Sequence, residues 1–298
     1  MNRISWWLVD VVSRVLEPGE RDVVRGDFAE SGETASRALG GVFGLAVRRQ
    51  AALWTDWRPW VILTGLILPL GMLLSVASRM TAGGSATYLW LYVNNWDWGL
   101  LRYAEFWYEL RDSVAFVSMG YLILACWSWT AGFVLGSASR RTVPLNGVLF
   151  CFALLIGGLL GAPRYLAFWG QLMNRPVSPD EHNPVSALAF YRVVLPMIVE
   201  AVVVAVPALW GMREGAGAGR LRLLLRLASW TAAAAALAAM AIQQPGVGFM
   251  LAAYRHPEIW QSRPVRALQL VVYWPIAYMA AGTIWRGKSP LPHGGGSL

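Results

Sequence analysis

Six apolar blocks dominate this chain and decide what it can become: Trp60 to Ser78, Ser113 to Gly136, Leu145 to Ala162, Val193 to Gly211, Leu227 to Ile242 and Ala267 to Trp285. A bilayer core is crossed by about 20 consecutive apolar residues in a helix, and these blocks meet or nearly meet that length. The fifth, "LASWTAAAAALAAMAI", carries the least transfer energy because alanine is far less membrane-philic than Leu or Ile. Composition agrees, since 56% hydrophobic residues, 14% charged residues and 17 tryptophans do not make a soluble surface. The expected fold is all-α: a polytopic membrane protein of six transmembrane helices, with a small helical segment ahead of them.

Arginine placement sets the expected topology. Residues 1–58 hold eight arginines, the connection 137–144 has Arg140 and Arg141, the connection 212–226 has Arg213, Arg220, Arg222 and Arg226, and the tail has Arg286 and Lys288. These sixteen basic residues exceed the nine on the other side, so the positive-inside rule puts both termini in the cytoplasm of a bacterial inner membrane. "MNRISWWLVDVVSRVL" has Asp10 and Arg14 within its apolar run and no small-residue cleavage site before it, which predicts a retained N-terminus. The net charge of +8 resides in the membrane part, because the first 58 residues balance eight acids against eight arginines. It therefore points to topology and anionic phospholipid rather than to nucleic acid.

A motif is written three times: "RYAEFW" at 102–107, "RYLAFW" at 164–169 and "RHPEIW" at 255–260. Each falls between an outgoing and a returning block. "GLLGAPRY" (158–165) aligns without gaps to "FMLAAYRH" (249–256), and "RVVLPMI" (192–198) resembles "QLVVYWPI" (269–276). The pattern predicts three tandem hairpins of the same orientation, about 58–141, 142–213 and 220–288, followed by a flexible tail at 289–298. Helical spacing puts Tyr103, Phe106 and Trp107 on one face, and Tyr165, Phe168 and Trp169 on another. Such a face suits the headgroup layer as an anchor closing each hairpin. The sharper expectation is an aromatic cup in which Arg102, Arg164 and Arg255, with Trp107, Trp169 and Trp260, hold an anionic lipid or substrate.

Residues 1–57 read as three short helices, the first amphipathic with Trp7, Leu8, Val11, Val12 and Val15 on one side and the last running toward Trp54, Trp57 and Trp60. "PGERDVVRGDFAE", Pro18 to Glu30, resembles the Pro-x-Glu-Arg-x-x-x-x-Gly-Asp pattern of the short prefix that precedes bacterial ABC-type permease domains. The resemblance covers about a fifth of the chain and implies a shared membrane-proximal module. It implies no transport activity, because the remaining chain is too short for the large periplasmic domain and the spans of such a permease.

Three further features bear on chemistry. Glu200, within "PMIVEAVVVAV", is an ionisable residue inside a span, which proposes a proton carrier, a counter-ion or polar glue between helices. Pro196 and Pro207 beside it open the backbone. His182 and His256 lie in outer loops next to acids but without metal-type spacing, so solvated loop residues are expected and no metal or cofactor. Cys126 and Cys151 fall inside apolar blocks as packing residues. Known catalytic signatures are missing, which weakens the enzyme class. The expected function is a non-enzymatic accessory, scaffold or sensory component that joins a membrane-protein partner or itself. The alternative is a small transporter or lipid-handling protein using Glu200 and the outer arginines.

Overall fold

The computed structural model describes residues 34–94, 96–173, 194–243 and 270–286, with isolated positions before residue 34. The described residues are helical with short connections and contain no strand. Helix α1 is Ala35–Leu53. Helix α2 is continuous through Arg58–Ile62, a π-helical segment Leu63–Ile67 and Leu68–Asn94. A 3-10 turn, Trp98–Arg102, leads into α3, Ala104–Ala138. Helix α4 is Val143–Met173. Helix α5 joins Leu195–Val199, a π segment Glu200–Ala205 and Val206–Gly217. Helices α6, Leu223–Gln243, and α7, Trp274–Arg286, complete the order.

Five of these helices are long and apolar enough to cross a membrane, at Arg58–Ala86, Ala104–Ala138, Val143–Leu160, Leu195–Arg220 and Leu223–Ala241. The sixth expected span, Ala267 to Trp285, overlaps the short helix α7, which is not among these five; residues 244–269 before it lie outside the described set. The first span differs from its expected bounds, since α2 runs past Ser78 and carries Arg79 inside the helix. An arginine does not end a helix, because its long stem packs apolar surface while its head finds a polar partner.

Both π segments have the same local cause. Pro69 lacks the N–H that would bond the Gly65 carbonyl, and Pro207 lacks the one for Val203. In each case the turn before the proline widens to the i→i+5 pattern.

Packing is governed by small residues. The most extensive helix contact among the described residues joins α3 to α5. A Cβ on Gly132 would fall 1.9 Å from the Ala208 carbonyl oxygen, and one on Gly136 would fall 1.9 Å from that of Met212. From the other side, Gly211 and Gly215 would each meet a carbonyl oxygen at 2.1 Å, that of Trp129 and that of Phe133 respectively. The backbones touch, as in membrane seams built on glycine at every fourth position, and Cα–H···O contacts fit this approach. A second seam joins α2 to α4, where Gly71 faces Ala153 and Gly157 faces Met72 and Ser75. In both seams residue numbers rise together, so α3 runs parallel to α5 and α2 parallel to α4. The most extensive packing thus joins helices that are not consecutive in the chain, and the helices from α2 to α5 alternate in direction.

Helix α7 docks on α3 through four rings. Trp129 and Phe133 stack at 5.3 Å, and Trp274 and Tyr278 meet both of them edge-on or tilted at 5.2–5.6 Å between centroids. The Trp274 indole N–H donates to Thr130 Oγ1 at 3.0 Å.

Candidate functional site

The polar centre of the bundle forms where the α2–α4 seam meets α5. Glu200 opens the π segment of α5 and is only 9% exposed. Ser75 and Arg79, one turn apart on α2, are the two side chains that act on its carboxyl. Their convergence depends on Gly158 of α4, which is buried. A Cβ there would stand 2.7 Å from Arg79 Nη2 and 3.4 Å from Glu200 Oε2. The absent side chain therefore leaves a space bordered by both the guanidinium and the carboxylate. Ser75 Oγ and Glu200 Oε1 are both buried without an aligned hydrogen-bond partner, although the hydroxyl lies beside the carboxyl.

A half-buried guanidinium nearby lowers the cost of placing the buried Glu200 carboxyl in a low-dielectric medium. Chemically the arrangement sets a carboxyl of α5 and a guanidinium of α2 against the same small space over the α4 backbone.

The end of the bundle where α2 finishes and α3 begins carries the first copy of the aromatic motif. Asp97 accepts a hydrogen bond from the Gly99 N–H at 2.9 Å and starts the turn Trp98–Arg102. Trp107 Nε1 donates back to the Leu101 carbonyl at 3.1 Å. Phe106 sits edge-on to Tyr92 and Trp96, both at 6.1 Å, and Tyr92 hydrogen-bonds Ser113 at 3.0 Å. Tyr103 and Trp107 are exposed, as is Arg102. Arg102 ends the tight turn and Trp107 lies in the first turns of the long helix that follows it.

The remaining copies are placed less fully. "RYLAFW", with Arg164 and Trp169, belongs to the last turns of α4, where side chains lie outside the described residues. Arg255 and Trp260 lie outside them altogether, as do His182 and His256. Among the described residues no cluster of three His, Cys, Asp or Glu could hold a metal. Of the two free cysteines, Cys126 is buried as expected, while Cys151 is only half-buried.

Arg79 and the glycine seams were missed by the sequence reading. The signals were present: an arginine abutting an apolar block, and small residues at every fourth position in Ser128, Gly132, Gly136 and in Gly211, Gly215. Comparison with family models, with curated proteins and with solved structures finds no match. The functional reading therefore rests on geometry.

Proposed function

We propose that this chain is a non-enzymatic accessory or scaffold component of a bacterial inner membrane, joining a membrane complex or another copy of itself. The observation that carries this reading is the enclosure of Glu200. Its carboxyl is held beside Arg79 and Ser75 over Gly158, so the acid serves cohesion between helices. The two glycine seams support the same reading, because helices in backbone contact make a rigid frame with little freedom for alternating movements. In this reading the three hairpins, with both termini cytoplasmic, form the frame, and the N-terminal segment of about 57 residues, the permease-prefix-like module, is the docking arm.

Extraction in native nanodiscs followed by native mass spectrometry tests the proposal. A stoichiometric protein partner or a defined homo-oligomer is the expected result; a lone chain that moves solute or lipid in proteoliposomes overturns it.

One observation favours a second reading, a small transporter or anionic-lipid-handling protein. Glu200 opens a π segment set between Pro196 and Pro207, and its Oε1 has no aligned donor; π segments recur at functional sites. In this reading Arg102, Arg164 and Arg255 gather the anionic ligand. Uptake by proteoliposomes that disappears in Glu200→Gln would establish it.

A further inference from the structure

The opposite end of the bundle holds a feature that neither reading uses. An apolar groove of about 350 Å³ runs between α4 and α5, lined by Val143, Gly147, Cys151 and Leu155 on one side and Leu209 and Met212 on the other. The four α4 residues are spaced four apart and make one stripe, about 18 Å long at 1.5 Å per residue. That is close to the depth of one leaflet, half of a hydrocarbon core of about 30 Å. Gly147 keeps the groove open, since a Cβ there would already lie 3.0 Å from Leu209 Cδ2.

Cations crowd the groove's mouth. The turn Arg140–Thr142 directly precedes Val143. Arg213 is exposed one helical turn beyond Leu209, on the same face of α5. Arg140 lies against Gly219, where its two terminal nitrogens occupy the place of a Cβ, and this sets it next to exposed Arg220. Against arginines at 140, 141, 213, 220, 222 and 226, these connections and helix ends carry one acid, Glu214. An apolar slot of leaflet depth under a cluster of guanidinium groups matches one molecule in two places: an acyl chain below and a phosphate above.

We propose that the α4–α5 groove binds one anionic phospholipid, with an acyl chain along Val143 to Leu155 and its phosphate held by Arg140, Arg213 and Arg220. The site is separate from Glu200 and from the repeated aromatic motif, and it holds whether the chain is a scaffold or a transporter. Zwitterionic lipid fills the groove less well, because its headgroup brings a cation to the arginines.

The test uses the full chain in nanodiscs with two photoactivatable phospholipids carrying the same acyl-chain diazirine, one phosphatidylglycerol and one phosphatidylcholine. Crosslinks from phosphatidylglycerol should concentrate within residues 143–155. They should fall roughly fivefold for each of Arg140, Arg213 and Arg220 changed to Gln. Gly147→Leu, which fills the slot and keeps the arginines, should lower groove crosslinks while circular dichroism stays unchanged. Equal labelling by the two lipids, or labelling indifferent to the arginines, overturns the proposal. So does efficient oxidative crosslinking of Cys151 between two chains at the same protein-to-lipid ratio, which would make the occupant a second copy.

Discussion

The α3–α5 seam and the α2–α4 seam use the same device for different ends. Both are parallel helix pairs brought close by small residues. In α3–α5 each glycine meets a carbonyl oxygen of the other helix, from Gly132 facing Ala208 to Gly136 facing Met212. In α2–α4 the contact is between side chains and backbone, with Gly71 against Ala153 and Gly157 against Ser75. It then widens by one glycine, Gly158, to admit Arg79 and Glu200. Close approach alone makes a dry strut, whereas close approach with one glycine left unfilled makes a chamber for a charge pair. Sequence composition is similar in the two seams, and the difference lies in what each glycine faces.

Substitutions that exploit this contrast should separate widely. Gly132→Leu places carbon where the Ala208 carbonyl lies, and neither backbone can yield without parting the helices. Its cost should reach about 3 kcal/mol or more, read as loss of the folded fraction in SDS titrations of mixed micelles. Arg79→Met leaves Glu200 buried beside an apolar stem, and about 3 kcal/mol of stability should be lost; the same titration checks it. Gly71→Ala meets the Ala153 methyl carbon at 2.6 Å and backbone atoms of Ala153 and Leu154 only at 3.4 Å, so a small shift of α4 should hold the loss to about 1 kcal/mol. Gly84, also on α2, would meet nothing within 4 Å. Gly84→Ala should therefore be neutral or stabilising by up to about 1 kcal/mol through helix propensity. A Gly132 variant no worse than Gly84→Ala would remove the distinction between strut and open face.

The hydropathy of the chain made its helices legible, because runs such as Val61 to Leu74 and Leu145 to Gly158 admit few other solutions in a bilayer. Glu200 was legible for the same reason, as a charge where charge is costly. Its partner was not, since Arg79 follows the apolar block directly and reads as a loop residue until α2 is seen to continue to Asn94. The repeated aromatic motif suggested hairpins as packing units. The closest packing lies beyond that pattern: Gly132 reaches Ala208 across 76 residues, a relation that no local motif encodes. The apolar side of the first N-terminal helix was also an incomplete guide, because Trp7 is 61% exposed while Val9 and Ser13 are buried.

Whether Arg79 and Glu200 hold each other decides whether the acid serves cohesion between helices. A double-mutant cycle of Arg79→Met and Glu200→Met, followed by SDS titration in mixed micelles, measures this most directly. If the pair is coupled as the geometry implies, each single change destabilises strongly and the double variant recovers at least about 1 kcal/mol relative to their sum. Strictly additive losses would mean that the two charges do not interact, and the cohesive role given to Glu200 in the scaffold reading would be contradicted.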